Sequence, residues 1–392
     1  MKSKYGNISS EKNKILLLLI IMSMSIWLPI SVQADCPDGK HRCGTTNEEI
    51  TFGNCFGWKL CTPCREHDWD KECKQFERTT WMKDIGVINH RLRDIALPGA
   101  HDAGMGTISS CTDYGWNDIT QTQTKSIIEL LMSGIRVFDI RPTVDKKGNM
   151  RTAHISWIGK NIDLKIKTLT LRNEGCYGYS MEQILADVAH FRRQFPSELI
   201  ILELSHFQNF KKHDVKGSHF DPEDFDRMKR MIEDNLGRFL IKDIPDPLNS
   251  KVKDLTDNGG VLVLMEDGPT EPEKGYYSYK DLRVSGTYAN TPDVNSMIQD
   301  QLEKLKNRPD DNLFFTSWTL TQNEDIVTEC AKNHFSGGII GQCDSIISMA
   351  SRALANLDVL EDWVNKHDKR PSVVYTDASN YRVTDYVIQM NR

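Results

Sequence analysis

From about residue 85 onward, short apolar runs alternate with amphipathic segments, and no other feature of the sequence constrains the fold as strongly. The runs have the length and the content of β-branched residues that are typical of strands buried on both faces. They cover residues 94–99, 134–142, 151–157, 198–207, 259–267, 312–321 and 372–379. Strands that alternate with helices predict an α/β architecture, and the number of runs is close to the number of strands in a (β/α) barrel.

The segments between these runs carry the signals of helices. Residues 180–195 begin with a serine that can cap a helix, and residues 221–237 have a proline near the start and a glycine at the end. Residues 293–307 and 343–368 complete the predicted set. We therefore expect a distorted TIM-type (β/α) barrel over residues 85–392, and in such barrels the chemistry takes place at the C-terminal ends of the strands.

The first 34 residues have a different composition from the rest. Four lysines precede the apolar run 15–30, and the small-residue signature Val-Gln-Ala ends at Ala34. This order is typical of a secretory signal peptide, so residues 1–34 predict export to the extracellular space. The run is short for a membrane span, although an uncleaved anchor remains an alternative.

The charge balance bears on partners. The predicted leader has four lysines and one glutamate, a net charge of +3, so the remaining chain carries −9 against −6 for the whole sequence. An acidic chain argues against a nucleic-acid partner and against bulk attraction to anionic lipid.

All ten cysteines follow Ala34, and six of them crowd into one short segment. In an exported chain this density predicts a small cysteine-rich disulfide module, which we place at residues 35–80. Its cysteines are Cys36, Cys43, Cys55, Cys61, Cys64 and Cys73. The sequence does not determine their pairing, and Cys61 and Cys64 with His67 leave a zinc half-site as an alternative.

The other four cysteines are spread along the larger domain. Cys330 and Cys343 could close a short loop, and Cys111 with Cys176 would then be the remaining pair.

Histidines and charged side chains lie near the ends of several predicted strands. Because a barrel brings its strand ends together, we expect these side chains to share one site. Two imidazoles can act as general base and general acid, carboxylates can fix their tautomers, and arginine matches the charge and geometry of a phosphoryl group. The set therefore predicts acid–base chemistry on a phosphate. Its members are His101, Asp102, Asp139, Arg141, His154 and Asp377.

Four stretches in order resemble one known family. "IALPGAHDAG" (95–104) resembles the opening motif of the phosphatidylinositol-specific phospholipase C X-domain family, and "GIRVFDIRP" (134–142) resembles its second motif. "ELIILELSHF" (198–207) and "FFTSWTLT" (314–321) resemble later segments. The resemblance spans residues 85 to 390 and excludes the predicted cysteine-rich module. It implies a phospholipase C that acts on an inositol phospholipid at a membrane surface.

The resemblance also implies roles for single residues. His101 would be the general base that takes a proton from the inositol 2-hydroxyl, and Asp377 would orient it. His154 would be the general acid that protonates the diacylglycerol leaving oxygen, with support from Asp102. Attack by the 2-hydroxyl would give diacylglycerol and a cyclic inositol phosphate.

Arg141 bears on the use of metal. The resemblance implies that Arg141 binds the phosphate, with Asp139 beside it and the nucleophile. Calcium-dependent members place acidic ligands around this strand, so a built-in cation predicts the metal-independent, bacterial-like type with no cofactor. No dense acidic loop typical of a calcium site is seen in the sequence.

The sequence departs from the family pattern around the headgroup pocket. Alanine stands at positions 100 and 103, and Ile155 follows His154. His206 stands where a lysine is expected, and Tyr288 is our candidate for stacking on the sugar ring. Both are predicted substrate-binding residues in an altered pocket.

Two other functions fit parts of the sequence. One is a metal-dependent phosphodiesterase that acts on another phospholipid or a sphingolipid, which would lose activity with a chelator. The other is a non-catalytic headgroup-binding protein, against which the pair of imidazoles argues. Trp116, Trp157 and Trp318 could insert at a lipid interface, although burial is commoner for tryptophan.

Overall fold

The computed structural model describes residues 59–60, 76–163, 168–211, 219–266 and 273–392. The chain divides into two units, Met1–Gln75 and Phe76–Arg392. The predicted signal peptide and the six cysteines of the predicted module lie outside the described residues. In the described ranges, none of the helices has both the length and the apolar character that crossing a membrane requires.

The strands are β1 Lys59–Leu60, β2 Phe76–Glu77, β3 Leu97–Ala100, β4 Ser110–Cys111, β5 Val137–Ile140, β6 Pro142–Val144, β7 Met150–Asp163, β8 Thr168–Ser180, β9 Ile200–Leu204, β10 Gln208–Asn209, β11 Val261–Met265, β12 Tyr276–Ser278, β13 Phe315–Ser317 and β14 Val373–Thr376. The helices are α1 Trp81–Asp84, α2 Ile127–Met132, α3 Met181–Gln194, α4 Pro222–Leu236, α5 Val252–Asp257, α6 Val294–Lys306, α7 Glu324–Phe335, α8 Ile346–Leu354, α9 Leu357–His367 and α10 Tyr381–Gln389.

A seven-stranded parallel sheet organises the second unit, in the order β12-β11-β9-β5-β3-β14-β13. The strands β3, β5, β9, β11 and β14 are buried along their whole length, as the continuous apolar runs predict. The predicted α/β architecture with a parallel sheet is therefore confirmed.

The closure of this sheet is irregular. In the described part of the chain, the edge strands of this sheet are β12 and β13. One isolated bridge pairs Ser285, which follows β12 in the chain, with Phe314, which directly precedes β13. The Ser285 amide donates to the Leu313 carbonyl at 3.1 Å, and the Phe315 amide donates to the Ser285 carbonyl at 2.8 Å. A regular closed barrel is not seen in these ranges, so the barrel stays a prediction.

Buried apolar clusters hold the helices against the sheet. One cluster packs α2, α3 and α4 on β5, β9 and β11, through side chains such as Leu130, Val188 and Ile232. Another packs α6, α8, α9 and α10 beside β14. At the starts of β5 and β9, Arg136 donates to Glu198 Oε2 from Nε at 3.0 Å and from Nη2 at 2.8 Å, and both side chains are fully buried.

The prediction for residues 151–157 is wrong in one respect. They form part of β7, which pairs antiparallel with β6 and β8 in a second, five-stranded sheet in the order β10-β6-β7-β8-β4. A short apolar run does not distinguish the two pairings, and here β8 returns directly alongside β7 as the second strand of a hairpin.

The helix predictions hold for residues 180–195, 221–237 and 293–307, which contain α3, α4 and α6. Ser180 caps α3 by accepting a hydrogen bond from the Gln183 amide, and Asp221 and Asp224 form a capping box on α4. The single helix predicted over 343–368 is wrong. Positions 355 and 356 separate two helices, α8 and α9, and neither position is a proline or a glycine that would predict a helix end.

Two disulfide bonds are present in the described part of the second unit. Cys111–Cys176 joins β4 to β8, and Cys330–Cys343 closes the loop that follows α7. Both pairings agree with the sequence prediction.

Candidate active site

The ends of β3 and β14 bring His101 and Asp377 together. The two strands are parallel neighbours, with Ala100 in register with Thr376, so the residues that follow them emerge side by side. The His101 ring Nδ1 lies 2.7 Å from Asp377 Oδ1. Gln123 fixes this junction, because its side-chain amide donates to the carbonyls of both His101, at 2.8 Å, and Thr376, at 3.0 Å.

Arg141 follows the neighbouring strand β5 and reaches the same point. Its Nη2 lies 2.7 Å from His101 Nε2 and 3.1 Å from Asp139 Oδ2, and its Nη1 lies 3.3 Å from Asp102 Oδ2. Arginine can only donate hydrogen bonds, so His101 Nε2 must accept and His101 Nδ1 carries the proton toward Asp377. This network assigns His101 to the neutral tautomer whose Nε2 lone pair faces the cavity.

The charges around His101 and Asp139 set their protonation. Burial alone would lower the pKa of His101, but the Asp377 carboxylate outweighs it and raises the pKa above the ordinary value of 6.5. Burial would raise the pKa of Asp139, but the Arg141 guanidinium and His101 hold it well below its usual range. Asp139 therefore stays ionised, and the raised pKa makes His101 a stronger proton acceptor than an ordinary histidine.

His154 approaches from the antiparallel sheet. It lies within β7, in register with Cys176 of β8, and its Nδ1 is 3.1 Å from Asp102 Oδ2. The contact has the distance of an ion pair without the alignment of a hydrogen bond. The expectation that His154 lies at the C-terminal end of a strand of the main sheet is therefore wrong.

Asp102 lies between His154 and Arg141. Its side chain is fully buried, and its backbone is left-handed with a φ of 42°. The Asp102 amide donates to Asp139 Oδ2 at 2.9 Å, and its carbonyl accepts from Thr122 Oγ1 at 2.9 Å. The turn thus aims the carboxylate between His154 and Arg141.

A cavity of about 560 Å³ opens over these side chains. The two predicted substrate-binding residues, His206 and Tyr288, also line this cavity. The Tyr288 side chain is 57% exposed. His206 Nδ1 lies 2.8 Å from Ser205 Oγ, and Ser205 Oγ donates to Asp139 Oδ1 at 3.1 Å. His206 is therefore connected to the cluster through Ser205.

The sequence reasoning missed an acid in the cavity wall. Glu203 on β9 is in register with Asp139 on β5, and it accepts hydrogen bonds from the hydroxyls of Tyr279 and Tyr375. Burial and the neighbouring Asp139 raise the pKa of Glu203 to about 7. An acid in the middle of the apolar run 198–207 was the available signal, whereas nothing in the sequence singled out Gln123 or Tyr279.

The described ranges contain no group of three or more His, Cys, Asp or Glu side chains with a geometry that could hold a metal ion. The expectation of metal-independent chemistry stays a prediction.

Two bacterial enzymes of known structure share this architecture. The phosphatidylinositol-specific phospholipase C of Listeria monocytogenes aligns over 80% of this chain and 99% of its own, with a TM-score of 0.55 and 16% identity. This chain has the fold of the bacterial phosphatidylinositol-specific phospholipases C. The Staphylococcus aureus enzyme aligns over 80% of this chain and 98% of its own, with a TM-score of 0.54 and 17% identity.

Sequence comparison gives the same resemblance. A PI-PLC X-box domain-containing protein of Dictyostelium discoideum is 26% identical over 216 residues, which cover 52% of this chain and 24% of that protein. The chain thus spans about a quarter of the length of this curated relative. No family model matches the sequence. The resemblance to the phosphatidylinositol-specific phospholipase C family that the motifs predict is confirmed.

Proposed function

We propose that this chain is an exported, metal-independent phosphodiesterase of the phospholipase C type. Its substrate is phosphatidylinositol or a related lipid, including glycosyl-phosphatidylinositol anchors. The products are diacylglycerol and a cyclic inositol phosphate.

One observation carries this proposal. Two imidazoles line a single cavity, each beside a carboxylate, and the guanidinium of Arg141 lies between them, next to His101 and to the Asp102 carboxylate that neighbours His154. A base, an acid and a fixed cation are the groups that an intramolecular transfer at phosphorus needs. A protein that only binds a headgroup has no use for two oriented imidazoles.

The reaction follows from the proton positions. His101 Nε2 takes the proton of the inositol 2-hydroxyl, whose oxygen attacks phosphorus. The bond from phosphorus to the diacylglycerol oxygen breaks, and His154 gives that oxygen a proton. Asp377 stabilises the imidazolium that forms on His101, and Asp102 holds His154.

Arg141 has a second task in this scheme. It donates to His101 Nε2 at 2.7 Å, which occupies the lone pair that the base needs. A phosphodiester in the cavity competes for the guanidinium, because charge-assisted bonds to phosphate are stronger than a bond to a neutral imidazole. Substrate binding then frees the base as it engages Arg141. A resident cation at this point supplies the charge that a metal ion supplies in other phosphodiesterases.

Phosphorus NMR tests the proposal directly. The full-length protein is incubated with phosphatidylinositol vesicles in excess EDTA, next to His101→Ala and the matched control His190→Ala. His190 is exposed on α3 and does not line the cavity. We expect a cyclic phosphodiester resonance from the parent and the control, and none from His101→Ala.

Activity that appears only with added calcium or magnesium would support the metal-dependent alternative. Binding without turnover under all ions would support the headgroup-binding protein.

A second substrate tests the acid. His154→Ala should lose about 10²-fold or more on the natural lipid, since an alkoxide leaves poorly without a proton. A nitrophenyl ester of inositol phosphate has a leaving group that needs no proton, so the same variant should cleave it nearly as fast as the parent. Equal losses on both substrates would contradict the role of His154.

A further inference from the structure

The strand beside His154 determines where its ring lies. On β8, Cys176 is directly opposite His154, and Gly175 is opposite Ile155. Residues that face each other on antiparallel strands carry their side chains on the same face of the sheet, so Cys176 shares the face of the imidazole. Among the described residues, none forms a hydrogen bond with the buried His154 Nδ1. The position of this ring therefore depends on its backbone.

The backbones of β7 and β8 are in close contact at this point. A Cβ atom added at Gly175 would lie 2.0 Å from the His154 carbonyl oxygen and 2.6 Å from Ile155 Cα. On the other side of β8, a Cβ atom added at Gly115 would lie 2.1 Å from the Gly175 carbonyl oxygen. Because the backbones touch directly, a displacement of β8 is transmitted to the backbone of His154.

Two residues at the end of β4 hold the other edge of β8. Cys111 is in register with Cys176 and forms a disulfide bond with it. Thr112 Oγ1 donates to Glu174 Oε2 at 2.7 Å and accepts from the Gly175 amide at 3.0 Å, and the Thr112 amide donates to the Gly175 carbonyl at 2.9 Å. We name Cys111 and Thr112 the β4 clamp. It joins β4 to three consecutive residues of β8, in the stretch of that strand that pairs with β7.

We propose that the β4 clamp positions His154 for protonation of the leaving oxygen. This inference rests on the proposed function, in which His154 is the proton donor. Cys111, Thr112 and Cys176 lie outside the cavity lining, so they act on the reaction through β8 and not through contact with the substrate. His101 follows β3 of the parallel sheet, so loss of the clamp should affect protonation of the leaving group and not activation of the nucleophile.

Two soluble substrates with different leaving groups test this proposal. Short-chain phosphatidylinositol below its micelle concentration releases an alkoxide that needs a proton, whereas the nitrophenyl ester of inositol phosphate needs none. The full-length variant Cys111→Ser/Cys176→Ala opens the disulfide, and its alanine avoids an unpaired hydroxyl at the buried position. We expect kcat to fall at least about tenfold on the lipid and less than about twofold on the ester, because only the first reaction depends on a well-placed donor.

The ratio of the two rates separates positioning from a general loss of stability. Both rates are measured on the same sample, so their ratio does not depend on the fraction of the protein that is folded. The matched control Cys330→Ala/Cys343→Ser opens the other described disulfide, and its ratio should equal the parent's.

If the double variant at positions 111 and 176 does not fold, Thr112→Val decides the question. It removes the hydrogen bonds of the Thr112 hydroxyl with little change in volume. Its ratio of the lipid rate to the ester rate should be at least about threefold lower than the parent's, since a small displacement of the donor slows only the first reaction.

Carbon-13 NMR of labelled histidine follows the two rings without turnover. The resonances of His154 and His101 are assigned with His154→Gln and His101→Gln. Opening the disulfide should shift the His154 resonance and leave that of His101 nearly unchanged. A parent that cleaves neither substrate, together with this selective shift, would leave the clamp proposal standing and overturn the proposed function.

Two results would overturn the clamp proposal. One is a ratio of rates that matches the parent's in the folded double variant or, if that variant does not fold, in Thr112→Val. The other is a His154 resonance that moves no more than the His101 resonance in the variant that folds.

Discussion

Replacing Asp377 by asparagine tests the base with almost no change in volume. Asp377 is buried, and its Oδ1 lies 2.7 Å from His101 Nδ1. The charge centres of an imidazolium and this carboxylate would be about 4 Å apart, where their attraction is about 4 kcal/mol at an effective dielectric constant of about 20. An amide oxygen that still accepts the hydrogen bond retains about 1 kcal/mol. The variant therefore loses about 3 kcal/mol of imidazolium stabilisation.

This loss sets an upper limit on the change in rate. If proton transfer to His101 is complete in the transition state, kcat falls about 10²-fold, and partial transfer gives a loss between about 10-fold and 10²-fold.

The pH profile changes as well. Asp377 raises the pKa of His101, and the base works only when it is unprotonated, so the parent loses activity as pH falls through this raised pKa. In Asp377→Asn that loss should move to lower pH.

The assay is kcat/KM against pH on a short-chain soluble substrate. Asp145→Asn is the matched control, because Asp145 is a largely buried carboxylate in the turn between β6 and β7, outside the cavity lining. Its profile should match that of the parent. An acid limb that does not move in Asp377→Asn, with a rate loss below about threefold and unchanged thermal unfolding, would refute the role of Asp377 on His101.

Other changes test packing and protonation. Replacing Cys330 and Cys343 by serine, which opens a disulfide with a sequence separation of 13, should lower the free energy of unfolding by about 3 kcal/mol in urea titrations. Glu198→Gln leaves the Arg136 cation buried without its partner and should cost about 3–5 kcal/mol in thermal unfolding. Burial raises the pKa of Glu203 to about 7, so the folded state binds this proton more tightly than the unfolded chain. Stability should therefore fall by about 3 kcal/mol from pH 4.5 to 7, and Glu203→Gln should remove that fall in calorimetric scans. A variant in any of these three tests that unfolds like the parent would contradict its prediction.

The sequence was sufficient for the part of the site that parallel strands assemble. Parallel strands end at one edge of a sheet, so residues that follow β3, β5 and β14 must meet however far apart they lie in the chain. Placing His101, Arg141 and Asp377 together needed only the apolar runs and the motifs. The same logic misplaced His154, because the run 151–157 does not show that β7 forms a hairpin with β8.

Other parts of the site depend on packing that no sequence pattern contains. Gln123 lies in a loop, yet its amide joins the carbonyls of His101 and Thr376. Tyr279 and Tyr375 are 96 positions apart and meet at Glu203 only because β12, β9 and β14 share one sheet. The break between α8 and α9 has no sequence signal either, since tertiary contacts decide where that helix ends.

The two imidazoles of the site stand on separate frameworks. His101 is carried by the parallel sheet together with Arg141, Asp139 and Asp377, whereas His154 is carried by the hairpin of β7 and β8. The Asp102 carboxylate lies between them, 3.1 Å from His154 Nδ1 and 3.3 Å from Arg141 Nη1. Substitutions in the hairpin therefore act directly on the position of the proton donor, and they reach the phosphate-facing half only through Asp102 and through the pairing of β7 with β6, the strand that follows Arg141. The position of the proton donor relative to the leaving group is thus set by a different sheet from the one that positions the histidine that activates the nucleophile.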